Sequence, residues 1–299
     1  MKKLLRNLFI NSINIFDSKL NLIISNAISK KTTKLNIYSL HSTRPRDFNY
    51  YKEILQYIDK KSKFINPDDI DFIANNNLKN KNYSILTLDD GFTDNYEFAL
   101  KVLKELNIKG IFFIIPNFIT KEKTFSKKYL RKLYPKNKYE INKEIKDIFQ
   151  HMTKAQIKDL SQQGHKIGLH GLEHEDYGEI TLYQIEENIK KSFRILKKLD
   201  IKPIHFAYPF GSKNNFTNAS NQCIKKYFKY IYTGVRGINL INRFNQEKNL
   251  SIFRRNTLST HNEDLVYYPI KRKEIYFFSF NKIVEYFYIF CQGLRKQEK

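Results

Sequence analysis

One stretch limits the fold more than any other: Ser84-Ile85-Leu86-Thr87-Leu88, followed at once by Asp89-Asp90-Gly91. The mostly apolar run has the length and composition of a buried strand. Gly91 permits a sharp turn, Asp94 stands where it can cap a following helix, and Glu97 where it can close a capping box. Tyr96, Ala99, Leu100, Leu103 and Leu106 mark that helix, and Gly110 opens a second apolar strand, Ile111 to Ile115. This is strand, turn, helix, strand, with two carboxylates at the carboxyl end of the first strand, the end at which α/β folds bind ligands. Adjacent carboxylates repel, and a cation between them and other ligands would relieve the repulsion. A solvated Asp-Asp-Gly turn is the plainer alternative.

A second stretch narrows the choice. A helix is expected over Met152 to Gln163, capped by Thr153 and stopped by Gly164. The strand Lys166 to Leu169 follows and ends in His170, with His174 four residues on. A His-x-x-x-His spacing can set two imidazoles on one face of a helical turn, suited to one zinc-like ion. Two loop histidines would look the same, but the chain has only seven histidines, and two of them fall at another strand end. Two histidines and one carboxylate leave coordination positions open for water, as a catalytic metal requires.

Three motifs in order carry a resemblance. Thr87-Leu88-Asp89-Asp90-Gly91-Phe92, His170-Gly171-Leu172-Glu173-His174 and Phe206-Ala207-Tyr208-Pro209-Phe210-Gly211 resemble the first three motifs of the polysaccharide deacetylases (the NodB-homology domain, carbohydrate esterase family four). The resemblance covers roughly residues 35 to 260 and implies an α/β fold, a distorted (β/α) barrel of about seven strands. By the same resemblance Asp90, His170 and His174 hold a divalent metal, most simply zinc, and Asp89 is the base that takes a proton from water. Much of the family draws its general acid from a late Leu-x-His motif, but here the late histidine, His261 in Leu258-Ser259-Thr260-His261, is wrongly spaced. A subgroup with a Tyr-His entry strand uses that early histidine. Lys34 to Leu40 followed by His41 resembles that strand, with Leu40 in place of the aromatic residue, which makes His41 the expected acid. The third motif has Ala207 where other members carry an arginine that steadies the base, so Arg255 in the late strand Leu250 to Leu258 is expected to supply that charge. The backbone N–H of Phe210 is the expected oxyanion donor, and Tyr208 the expected neighbour of substrate.

The implied activity is metal-dependent hydrolysis of an acetamido group on a sugar of a bacterial-type surface glycan or its lipid-linked precursor. Removal of a formyl group from a lipid-linked amino sugar is an alternative, and so is a catalytically silent basic module for glycan or nucleic acid. No aromatic-rich nucleic-acid motif is evident, so nucleic acid is not an expected partner.

Composition adds where the substrate could be met. With 53 Lys and Arg against 30 Asp and Glu, the 299-residue chain carries a net charge of +23, which calls for an anionic partner without choosing among lipid, phosphate and nucleic acid. Cys223 and Cys291 form no disulfide framework, which permits a reducing compartment. The expected organisation is an amphipathic helical extension over 1–33, a barrel over 34–262 with a basic insertion at 116–150, and an aromatic, basic helical tail over 263–299. The amino end lacks a clean apolar run and cleavage site for a secretory signal, and neither end is long or apolar enough to span a bilayer. The expected location is cytoplasmic, peripheral at the inner face of the membrane. Each Lys or Arg near an anionic leaflet contributes about 1 kcal/mol, screened over about 8 Å at physiological salt. The protein should therefore sediment with vesicles of acidic lipid, be released by high salt, and bind more weakly once Ile275 to Lys299 are removed. A full-length chain that ignores acidic vesicles at low salt removes the membrane from this reading.

Overall fold

The computed structural model describes residues 33–75, 81–120, 150–241 and 252–258. The strands β1 (Thr33–Leu40), β2 (Lys63–Phe64), β3 (Asn82–Leu88), β4 (Gly110–Ile114), β5 (Lys166–Leu169), β6 (His205–Ala207), β7 (Tyr230–Tyr232), β8 (Asn239–Ile241), β9 (Ile252–Phe253) and β10 (Asn256–Thr257) form one sheet. Its path runs β10-β1-β3-β4-β5-β6-β7-β9 with every neighbour parallel. Off this path, β2 lies parallel to β3 and β8 antiparallel to β1.

The two ends of that path are the two halves of one run of chain. β9 pairs with β7 and β10 with β1, so Ile252 to Thr257 bridges both edges and curls the sheet into a ring. Taken as one interrupted strand, it joins β1, β3, β4, β5, β6 and β7 in the distorted barrel of about seven strands that the motifs imply. The late strand expected over Leu250 to Leu258 is thus broken at Arg254 and Arg255. Asn239 accounts for the break: its Oδ1 accepts from Arg254 N at 2.8 Å and its Nδ2 donates to Arg254 O at 3.0 Å. A side chain thereby takes the main-chain groups that a continuous strand would offer a neighbour.

Helices α1 (Phe48–Lys61), α2 (Ile70–Asn75), α3 (Thr93–Phe98), α4 (Pro116–Thr120), α5 (Lys154–Gln162), α6 (Leu182–Lys197) and α7 (Asn218–Lys225) fill the connections. α1 buries Phe48, Tyr51, Leu55 and Ile58, a single stripe at helical spacing. α5 and α6 begin in capping boxes, Thr153 with Gln156 and Thr181 with Gln184. α3 departs from expectation. Phe92 is its N-cap, no side chain caps it, and it runs on as a π-helical turn over Ala99–Leu103. Asp94 does not cap this helix. Its carboxylate instead accepts from Ser42 Oγ (2.5 Å) and Thr43 N (2.9 Å), in the chain that leaves β1.

Strand alternation divides the apolar side chains into two cores. Leu35, Ile37, Ile85, Ile111, Phe113, Ala207, Tyr230, Tyr232 and Phe253 meet inside the ring. Leu86, Leu88, Phe112, Ile114, Ile167, Leu169, Phe206 and Ile231 face outward, against the helices. Extending the inner register past each strand end brings His41 after β1, Asp89 after β3 and His170 after β5 to one mouth of the barrel. No helix among the described residues is long and apolar enough to cross a membrane. The amino-terminal extension, the basic insertion over 121–149, His261, Cys291 and the carboxyl-terminal tail lie outside the described residues.

Two histidines away from that mouth serve the fold as neutral groups. His165 Nδ1 accepts from Gly110 N at 3.1 Å, at the start of β4, and its ring meets the Phe112 ring edge-on. Burial, with Lys109 adding, pushes its pKa down to about 4. His205 stacks on Tyr230, shares a 3.0 Å hydrogen bond with the Tyr232 hydroxyl, and is pushed by burial to about 3. An unfolded histidine titrates near 6.5, so between these values the unfolded chain binds more protons than the folded one. Stability from both groups is complete above about pH 6.5 and falls as pH drops towards 4, with a slope approaching about 1.4 kcal/mol per pH unit for each. Urea midpoints measured between pH 7.5 and 4.5 should fall accordingly, and His205→Phe should flatten the fall. An unchanged slope in that variant would assign the acid sensitivity to other groups.

Candidate active site

The mouth is built from strand ends. A cavity of about 130 Å³ is lined by Ser39, His41, Asp89, Asp90, His170, His174, Tyr208, Phe210, Gly234, Arg255 and Thr257. It is smaller than the several hundred Å³ of a site that encloses a whole drug-sized ligand, so it suits a small reactive group whose remainder lies outside.

The two aspartates are both buried, at 2% exposure, and they have different partners. Asp89 continues the inner face of β3, where Arg255 Nη1 donates to its Oδ1 at 2.7 Å. The guanidinium is itself held by Thr87 Oγ1 and the Thr233 carbonyl, each at 3.1 Å, and lies 5.5 Å from the Phe113 ring centroid. Burial alone would raise the Asp89 carboxyl. The charges of Arg255, His170 and His41 and the Arg255 hydrogen bond overcome it and hold the group at about 2. Asp89 is therefore ionised at neutral pH. Its Oδ2 faces His41 Nε2 at 4.0 Å, and the His41 side chain is 41% exposed.

Asp90 turns the other way because its backbone is left-handed, with φ +72°, as is that of Gly91. Its Oδ1 lies 3.5 Å from His170 Nε2 and 3.5 Å from His174 Nε2. The helical turn expected for the His-x-x-x-His spacing is not what brings the imidazoles together. Residues 170–174 are an irregular loop, with φ +74° at Gly171 and +60° at His174. The loop is held from below: Glu175 Oε2 accepts from Leu172 N at 3.0 Å and Oε1 from Asn188 Nδ2 at 3.0 Å.

This constellation fits a divalent metal on three counts. Ligand atoms of the three residues lie within 4.8 Å of one another, and each residue is buried. The 3.5 Å separations match the edge of a tetrahedron with bonds of about 2.1 Å, which is about 3.4 Å. Asp90 Oδ1 is a buried oxygen without a hydrogen-bond partner, and burial followed by the Asp89 charge raises this carboxyl against His41, His170 and Arg255. A cation between the three side chains would satisfy that oxygen. The tautomer agrees: His170 Nδ1 lies 2.9 Å from the Ala207 carbonyl, which can only accept, so Nδ1 carries the proton and Nε2 is left as ligand.

The remaining expected residues sit nearby. Phe210 has φ +60°, its ring packs edge-on against His174 at 4.6 Å, and none of the described residues accepts its N–H. Gly211 allows this turn to lie directly on the loop after β7: Gly234 N donates to its carbonyl at 2.8 Å, and a Cβ at Gly211 would run into the Gly234 backbone. Tyr208 lines the cavity, but its hydroxyl donates to Asn221 Oδ1 at 2.8 Å. Sequence reasoning missed a clasp between the loops. Asp94 holds Ser42 and Thr43, while Asn95 accepts from Thr43 Oγ1 at 2.9 Å and donates to the Asp89 carbonyl at 3.3 Å. It ties the residues beside His41 to Asp89. The signal was present as two polar residues inside the first helical turn, but Ser42 and Thr43 lie about fifty positions away.

With this geometry in hand, known proteins give a consistent answer. The polysaccharide deacetylase family profile matches residues 76–227, half of the chain. The chain belongs to the polysaccharide deacetylase family. A Bacillus subtilis (strain 168) protein classed with the family, YxkH, is 28% identical over 138 residues, which span 44% of this chain and 38% of that protein. Two solved structures share the fold. The Streptococcus pyogenes deacetylase PplD, in complex with acetate, superposes with a TM-score of 0.57 at 20% identity, over 75% of this chain and 92% of that one. A de-N-acetylase from Aggregatibacter actinomycetemcomitans gives 0.56 at 13% identity, over 74% and 94%.

The deacetylase-family fold here separates an aspartate that faces two imidazoles from a charge-paired one, and that separation is measurable. His174→Ala and Asp90→Asn should weaken divalent metal binding by more than about 100-fold, the upper end for loss of a mere supporting contact. Asp89→Asn should leave it within about threefold. Titration with a competing chelator reads both, and loss of metal in Asp89→Asn with retention in Asp90→Asn would reverse the two roles.

Proposed function

We propose that the protein is a metal-dependent carbohydrate N-deacetylase that hydrolyses the acetamido group of an amino sugar. The observation that carries this is the pair of unlike aspartates: Asp89 buried, ionised and tied to Arg255, beside Asp90 facing two imidazoles. A divalent ion held by Asp90, His170 and His174 would polarise the amide carbonyl and lower the pKa of a water to about 7.

The chain's own groups divide the proton traffic. Arg255 occupies Oδ1 of Asp89, so Oδ2, on the His41 side, is the oxygen placed to take the water's proton. As the water oxygen bonds to the acyl carbon and the carbon–nitrogen bond breaks, the departing amine needs a proton. His41 Nε2, which faces Asp89 Oδ2 at 4.0 Å, is the group placed to supply it, and its exposure allows exchange with solvent afterwards. The Phe210 N–H is the donor for charge developing on the carbonyl oxygen. The small cavity takes the acyl group and leaves the sugar at the barrel mouth. The net charge of +23 favours an anionic substrate, for which a phosphate-bearing, lipid-linked sugar is our reading.

The test is to incubate metal-loaded protein with acetamido sugars, free and lipid-linked, and to follow acetate and amine together. Both should appear in equal amounts. Release of formate from formamido sugars without acetate from acetamido sugars would favour the deformylase alternative, and neither product would remove the enzyme reading. Asp89→Asn should lower kcat by about 10²–10⁴-fold, the usual worth of a general base. His41→Ala should cut amide hydrolysis by a similar factor while sparing an activated ester, whose leaving group needs no proton. Equal losses on amide and ester would make His41 a positioning group.

A further inference from the structure

Asp90 is asked to do something a non-glycine residue resists. Its left-handed backbone, with Gly91 repeating the same φ of +72°, is unfavourable for a side chain and persists only if its surroundings enforce it. Those surroundings come from a segment far along the chain. Thr93 N donates to the Gln150 carbonyl at 2.7 Å, Met152 N donates to the Gly91 carbonyl at 2.9 Å, and Phe92 and His151 form an antiparallel bridge. Gln150 to Met152 thus brackets the turn that follows the two aspartates.

The His151 side chain completes the bracket. Its ring packs on Phe92 and Phe118, with centroids at 5.3 and 5.0 Å, and offers a ring N–H to the backbone at Asp90 and Gly91. Left-handed residues turn their carbonyls away from the partners a strand or helix would provide, so a donor fixed at this point selects the turn. We propose that His151 is a positioning residue for the metal: by holding the main chain of Asp90 in its left-handed turn, it keeps Asp90 Oδ1 aimed at His170 Nε2 and His174 Nε2. It touches neither the ion nor substrate and lies outside the cavity that holds the other groups. It does for the aspartate what the Ala207 carbonyl does for His170.

This inference rests on the metal reading of Asp90, His170 and His174, and affinity for Zn2+ alone tests it without any substrate. His151→Phe keeps a ring on Phe92 and Phe118 but removes the donor. His151→Gln loses the ring but keeps an N–H within reach of the carbonyls. The expected result is a Zn2+ Kd raised about 10–100-fold in His151→Phe, the range for loss of a supporting contact, and a Tm of the metal-free protein within about 5 °C of wild type. His151→Gln should bind Zn2+ at least about threefold more tightly than His151→Phe. A His151→Phe variant that binds within about threefold of wild type overturns the role of His151 alone, as does a His151→Gln variant no better than His151→Phe. A larger drop in the metal-free Tm of His151→Phe makes the residue structural and overturns it too. A wild-type protein that binds no divalent ion overturns the metal reading and this inference together.

Discussion

Two like charges on neighbouring residues, out of water at 2% exposure, are the constraint on which this structure turns. Left together they would repel, and one would be driven neutral. The barrel separates them instead. Asp89 stays in the inward register of β3 and is matched by a guanidinium, while a left-handed turn points Asp90 at two imidazoles. A buried Arg–Asp pair of this kind is poor evidence for stability, because desolvation offsets much of the attraction. Its value lies in the state it enforces, a carboxylate that is ionised and has one oxygen still available.

The barrel's closure serves the same pairing. Arg255 reaches Asp89 because the chain breaks between β9 and β10 where it spans the sheet's two edges, and Asn239 binds the main chain at that break. The Arg–Asp contact therefore joins the last strand of the ring to the centre of the site. Thr87 of β3, Phe113 of β4 and Thr233 just after β7 hold the guanidinium, so its position depends on the ring as a whole. Three of the five non-glycine residues with positive φ among the described residues lie in the same layer. Asp90, His174 and Phe210 are non-glycine residues with φ of 72°, 60° and 60°, in the loops after β3, β5 and β6. Strain gathered at strand ends is a common mark of a functional site, and here each strained residue has a stated task.

Much of this was legible in the chain. Period-two alternation places Thr87 and Asp89 on one face, and the same rule applied after β1 and β5 selects His41 and His170. The motif resemblance named Asp90, His170 and His174 together, and the structure brings them together; the absence of an arginine at position 207 pointed to Arg255, which does pair with Asp89. Threonines at 153 and 181 marked helix starts because a cap needs only its own next turn. Where reasoning failed, the competing partner was remote. Asp94 looked like a cap but serves the loop after β1, and His170 and His174 looked helical but converge from a loop pinned by Glu175 and Asn188.

What the sequence by itself determined is the material: which side chains carry charge, which can bind a metal, and which face of each strand they occupy. Those properties depend on residue type and on local period, and both can be read along a line. The tertiary structure alone decided how each group is used. That Asp89 is ionised, that His170 presents Nε2, and that His151 grips the Asp90 turn depend on Arg255, on the Ala207 carbonyl and on the bracket at Gln150 to Met152. Such contacts join residues tens to more than a hundred positions apart. Apart from the Arg255 charge, which the missing arginine at position 207 signalled, the sequence holds no sign of them until the sheet curls and brings its strand ends to one mouth.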